Sequence, residues 1–259
     1  MKKNSLSLHA ICLALVFAFY LLPDASLNPA HAQNVYDSSI LTPVDLDLDA
    51  GEERFFKVRK NGMSCASCHV KGEKHFVKDL KGAATSYPKY YEPAGKVVNL
   101  DMMINYCLEN RLKEKPNTLG KPASNQLTLY VKSLSNGMPI NVDVESHPEV
   151  KKMFELGKKL YWKKIGQLNM ACADCHVKYP GHMLRGNGPL NDGTKPASYY
   201  PKYRTKSNKL FTLQNRFVGC NRQIRAETLK VGDPAYLALE LYLTWKANGQ
   251  KINVPGYGF

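Results

Sequence analysis

Two pentads of one form, Cys65-Ala66-Ser67-Cys68-His69 and Cys172-Ala173-Asp174-Cys175-His176, hold the residue types best able to do chemistry in this chain. Cys-x-x-Cys-His is the attachment signature of a c-type haem. Two thiols add across the vinyl groups of the macrocycle, and the adjacent histidine binds the iron. The pentads therefore predict two covalently bound haem c groups, held by Cys65 and Cys68 and by Cys172 and Cys175. His69 and His176 are the predicted axial ligands. The chemistry to expect is redox. A zinc or disulfide protein using the same cysteines is the competing reading, and a histidine directly after each Cys-x-x-Cys in an exported chain argues for haem.

The elements that must position these groups come as two copies of one plan. Cys-His-Val-Lys occurs at 68–71 and again at 175–178. Ser86-Tyr87-Pro88-Lys89-Tyr90 is echoed by Tyr199-Tyr200-Pro201-Lys202-Tyr203, and Leu127-Thr128-Leu129-Tyr130 by Leu239-Glu240-Leu241-Tyr242. Apolar residues at Val150, Met153, Phe154, Leu160 and Tyr161 predict a helix over 149–163, leading into the second pentad as 52–60 leads into the first. Pro234 marks the start of a closing helix that ends near Gly249. The segments between, rich in Gly, Pro, Lys and Tyr, read as loops wrapped around the haem. The predicted fold is mainly α: two tandem cytochrome c-like haem domains, 33–146 and 147–259, joined by a linker over 139–148.

Lys2 and Lys3, the apolar run from Ile11 to Leu22, and Ala30-His31-Ala32 together read as a cleavable signal peptide over residues 1–32. The apolar run is too short for a membrane span once its flanks are counted. No other stretch is apolar enough to enter a bilayer. An exported haem protein of this type is expected in a bacterial periplasm. The formal net charge of +14 suits acidic partners or anionic substrates, and export argues against nucleic acid.

Of seven cysteines, Cys12 leaves with the signal and four belong to the pentads, so Cys107 and Cys220 are spare, one in each half. Haem iron in an electron-transfer domain usually takes a second axial ligand, commonly Met or His. The first half offers Met102, Met103, His75, Met138 and Cys107, and the second offers Met183, His182 and Cys220. His75 and His182 lie so near the proximal histidine in sequence that reaching the other face would be strained. The methionines have no counterpart shared by both halves. Only the cysteine recurs, so Cys107 and Cys220 are the predicted distal ligands. A Cys107–Cys220 disulfide is the alternative, but equivalent positions in tandem domains rarely face each other closely enough to bridge.

The copies differ beside these sulfurs. Met103-Ile104-Asn105-Tyr106-Cys107 becomes Arg216-Phe217-Val218-Gly219-Cys220, followed by Asn221, Arg222 and Arg225. Glycine opens space beside the second sulfur, and an electropositive setting favours a reactive thiolate. Arginine also forks onto oxyanions. The second site is read as built to bring an anion to a sulfur, and the first as sealed.

With both pentads, both later cysteines and the run from Arg216 to Glu227, the chain resembles the SoxA family, dihaem subunits of the SoxAX complexes of thiosulfate oxidation. The resemblance implies an L-cysteine S-thiosulfotransferase, in which thiosulfate is coupled oxidatively to a cysteine of the carrier protein SoxYZ. It implies electron flow through the monohaem partner SoxX to a cytochrome c. It further implies that Cys220 is both a ligand of the second haem and the catalytic residue, often as a persulfide, and that Arg216 binds substrate. A pure dihaem electron carrier without bond-making of its own is the alternative function, and a dihaem peroxidase a second.

Overall fold

The computed structural model describes residues 41–184 and 189–258, so the signal-peptide reading falls outside the described residues. The first half opens with α1 (Pro43–Phe56). Thr42 and Asp45 form a capping box there, and Pro43 takes the first helical position, where its missing N–H costs nothing. The expected helix over 52–60 thus begins earlier and stops sooner. The first pentad forms the short helix α2 (Cys65–His69), with Ser64 as its N-cap. A two-stranded hairpin follows, β1 (Lys89–Tyr91) antiparallel to β2 (Lys96–Val98). Then come α3 (Leu100–Asn110), capped by Asn99, and α4 (Pro122–Ser133).

The second half repeats this order. It runs α5 (Pro148–Trp162), the pentad helix α6 (Cys172–His176), the one-turn α7 (Pro196–Tyr199), β3 (Lys202–Arg204) and β4 (Lys209–Phe211). It ends with α8 (Leu213–Gln223), α9 (Pro234–Lys246) and β5 (Gly256–Gly258). The strand β5 pairs parallel to β3, so this sheet has the order β4-β3-β5. The segments read as loops therefore contain strands. Each is only three residues long, too short to show a two-residue alternation in sequence.

In each half the first helix crosses the last at a glycine. A Cβ added to Gly51 of α1 would sit 2.2 Å from the Gln126 carbonyl oxygen of α4. One added to Gly157 of α5 would sit 2.0 Å from that of Ala238 in α9. Glycine is required at both positions because the backbones approach too closely for any side chain.

The halves share one hydrophobic cluster, with Ala84, Val97, Leu129 and Ile140 from the first packed among Val150, Leu237, Leu241 and Ile252 from the second. Their seam is laced by hydrogen bonds. Asn136 donates to the Val254 carbonyl at 2.6 Å and accepts from the Val254 N–H at 2.9 Å. Asn248 does the same with Val142, at 3.0 and 2.9 Å. Gly137 N–H donates to Ile252 O, Gly249 N–H donates to Ile140 O, and Pro139 faces Lys251 in an isolated bridge.

Charged groups meet at the same seam, Asp101 buried and Lys132 and Glu240 partly so. Asp101, Lys132 and Glu240 line a cavity of ≈ 40 Å³ together with Thr128. Glu240 accepts from Asn99 at 2.8 Å and from Gln214 at 2.6 Å. Lys132 Nζ donates to the carbonyls of Ala197 at 2.7 Å and Tyr200 at 2.6 Å, tying α4 to the segment that bounds the second site. Burial, with Glu240 nearby, pushes the Asp101 carboxyl up to about 7. Burial pulls the Lys132 ammonium down to about 8.

Candidate functional site

A cavity of ≈ 520 Å³ opens in the second half, and Cys172, Cys175, His176, Arg216 and Cys220 all lie on its wall. The pentad helix α6 supplies the first three. Its N-terminus is fixed by Asp174, whose carboxylate accepts from the Ala171 N–H at 2.8 Å. Helix α8 supplies Arg216 and Cys220, one turn apart and therefore on one face. Thr212 caps α8 at the end of β4, which sets where that face points. Leu213, Phe217, Leu239 and Leu243 give the cavity an apolar lining, and Tyr161, Tyr199, Tyr200 and Tyr236 add aromatic surface.

Each spare cysteine lies near the pentad of its own half. Burial pushes the Cys172 thiol up to about 12, with Cys220 adding to the rise. Burial likewise pushes Cys65 up to about 11, with Arg59 opposing and Cys107 adding. Burial raises Cys107 too, against the pull of Arg111. All six described cysteines are free, so the alternative Cys107–Cys220 disulfide does not form. The rival distal ligands of the second half lie outside: His182 is exposed and Met183 is 64 % exposed. In the first half His75 is exposed, and Met138 Sδ instead lies 3.1 Å from where a Gly82 Cβ would be.

Both pentad histidines are oriented in the same way. His69 Nδ1 meets the Lys78 carbonyl at 2.8 Å, and His176 Nδ1 meets the Asn191 carbonyl at 2.8 Å. A ring nitrogen that donates to a carbonyl leaves the other, Nε2, as the free lone pair for a metal. Burial holds the His176 imidazole below its ordinary range. Two buried polar atoms on the cavity wall, Tyr161 Oη and Arg204 Nε, have no hydrogen-bond partner. Two thiols and an oriented imidazole on a large apolar cavity, with the unsatisfied Tyr161 hydroxyl at its wall, fit a covalently held tetrapyrrole.

A family model described as SoxA/TsdA, cytochrome c domain, matches residues 50–140 and 156–252. The chain belongs to this family. SoxA/TsdA cytochrome c domains carry covalently bound haem c, the group that the second-half cavity fits. The L-cysteine S-thiosulfotransferase subunit SoxA of Pseudaminobacter salicylatoxidans is 32% identical over 227 residues, 87% of this chain and 77% of that protein. The subunit of the same name from Paracoccus pantotrophus is 34% identical over 218 residues, 84% of this chain and 70% of that one. A crystal structure of SoxXA from P. pantotrophus superposes with a TM-score of 0.74 at 31% identity, covering 83% of this chain and 78% of that one. The two matched segments fall one in each copy of the repeat, and the mainly helical tandem architecture agrees with the sequence reading.

The wall of this SoxA/TsdA cavity narrows the electropositive setting read around Cys220, where the sequence leaves Arg222 and Arg225 evenly between site cations and surface or propionate-paired residues. Arg222 and Arg225 are exposed and do not line the cavity. The cations that do are Lys163, Lys202, Arg204 and Arg216. Arg204 was not foreseen. The signal available was the position after the second Tyr-Pro-Lys-Tyr, where Arg204 stands against Tyr91 in the first copy.

Proposed function

We propose that this chain is the SoxA-type subunit of an L-cysteine S-thiosulfotransferase, exported to the periplasm by residues 1–32. It is read as two haem domains, 33–146 and 147–259, with two haem c groups on Cys65/Cys68 and Cys172/Cys175. The iron ligands are His69 with Cys107, and His176 with Cys220 as thiolate or persulfide. Cys220 is the catalytic sulfur, and Arg216 binds the substrate. SoxX is the monohaem partner, SoxYZ the thiol carrier, and a cytochrome c the final acceptor. The observation that carries this reading is the shared wall: a free cysteine one helical turn from an arginine, on the cavity that holds the pentad.

The chain's residues divide the work as follows. Arg216 draws the thiosulfate dianion to the site and offsets its repulsion from a thiolate. The Cys220 sulfur bonds to the outer sulfur of thiosulfate, giving a Cys220 S-thiosulfonate and releasing two electrons. Haem supplies the electron-transfer chemistry that removes them. The carrier thiolate then attacks the sulfane sulfur, the Cys220–sulfur bond breaks, and Cys220 returns as thiolate. The net change is thiosulfate plus carrier thiol to carrier S-thiosulfonate, one proton and two electrons.

Cys220→Ser tests this in the assembled complex. The expected result is loss of thiosulfate- and carrier-dependent cytochrome c reduction by about 10³-fold or more, with both haems retained by intact mass. Full activity in that variant, or in wild type after alkylation of Cys220, removes Cys220 from the chemistry and overturns this mechanism.

A further inference from the structure

We propose that Arg204 is a second substrate-binding cation, which together with Arg216 clamps the doubly charged oxyanion at Cys220. The proposal rests on the thiosulfotransferase reading above.

The wall of the large cavity is rich in cations, and a carboxylate acting on it, Asp192, stands between the lining residues Asn191 and Gly193 and is felt at His176. Lys163, Lys202, Arg204 and Arg216 line the cavity, and among its described lining residues there is no Asp or Glu. Arg204 is the most enclosed of the four, at 7 % exposure. Its Nε has no hydrogen-bond partner, and the guanidinium rests 5.7 Å over the ring of Phe211. Among the described residues it makes no ion pair. A buried guanidinium without a counterion among the described residues is costly, so its persistence points to an anion beyond those residues. Arg204 also lies within electrostatic reach of both Arg216 and Cys220.

Two kinds of anion could meet it: a carboxylate of the cofactor, or the substrate. The internal repeat separates them. Both copies carry the attachment pentad, so duties owed to the cofactor fall on both. The cations at these two positions occur only in the second. Arg204 ends β3 where Tyr91 ends β1, and Arg216 stands where Met103 stands. Among the described residues the second copy alone carries a third strand, β5, in its sheet, pairing Gly258 with Arg204 on one side while Lys209 pairs on the other. The arginine is thus anchored in the central strand of the sheet, on backbone that cannot drift from the site. Two fixed guanidinium groups suit a dianion better than a monoanion.

Arg204→Met and Arg204→Lys test the assignment in the assembled haem-loaded complex. Three quantities are read: kcat and KM for thiosulfate, sulfate and nitrate binding by calorimetry, and haem content with the reduction potential of each haem. The expected result for Arg204→Met is a thiosulfate KM raised about 10²-fold with kcat changed far less. Sulfate binding weakens by a similar factor, nitrate binding stays as in wild type, and Arg204→Lys recovers part of both losses. Unchanged KM and sulfate binding overturn the proposal. So does a shifted potential or lost haem with KM intact, which would make Arg204 a cofactor carboxylate partner. Should wild type fail to turn over thiosulfate while sulfate still binds through Arg204, the activity reading falls and the clamp stands.

Discussion

At the scale of single residues, the proposed chemistry turns on which cations reach Cys220. Arg216 shares one face of α8 with it and lines the cavity, whereas Arg222 and Arg225 point into solvent. Arg216→Ala is therefore expected to raise the thiosulfate requirement and cut turnover by about 10²-fold. Arg222→Ala and Arg225→Ala are expected to stay within about two-fold, as surface changes do. Steady-state kinetics of the three variants check this, and an unchanged thiosulfate dependence in Arg216→Ala removes it from the site. Arg216 was legible in the sequence because a fixed helical offset ties it to Cys220. Arg204 was not. A charged residue ending a three-residue strand leaves no periodic trace, and its burial emerges only once β5 returns from the far end of the chain to pair with β3.

At the scale of elements, the crossing of α5 and α9 sets the geometry of the second cavity, because Tyr161 and Leu160 from one and Leu239 and Leu243 from the other line it. The crossing depends on Gly157. Gly157→Ala forces a methyl to 2.0 Å from the Ala238 oxygen, so the helices must part. The expected cost is about 1–3 kcal/mol, or several degrees in melting temperature of the haem-loaded protein, while Lys158→Ala on the exposed face changes little. A Gly157→Ala protein with wild-type melting would show that the helices can separate freely. The elements differed in how readable they were. Helix α5 shows a full apolar face and was placed to within a residue, and Pro234 marked the start of α9. Helix α1 was misplaced because its signal is a capping box before an acidic, weakly apolar stretch.

At the scale of the whole molecule, the two copies are held together by a polar seam as well as a shared core. Asp101 sits there facing Glu240, Lys132 and Thr128, and its raised proton affinity carries a pH signature. Between about pH 4 and 7 the folded state holds a proton that the unfolded chain has released. Stability from this group is therefore full below pH 4 and is lost as pH rises toward 7. Asp101→Asn is expected to flatten that descending limb in melts of the loaded protein across pH 4–8. A slope identical to wild type would assign the dependence to other groups. None of this seam was readable from composition, since partners such as Asn136 and Val254 or Asn99 and Glu240 stand far apart in sequence. Its bonding pattern has a geometric meaning of its own. Asn136 reaches Val254 as Asn248 reaches Val142, Gly137 reaches Ile252 as Gly249 reaches Ile140, and Pro139 meets Lys251, its own counterpart. Exchanges of that kind are the mark of a local dyad at the Pro139–Lys251 bridge. Along this stretch the join is self-complementary, as the contact between two like chains would be.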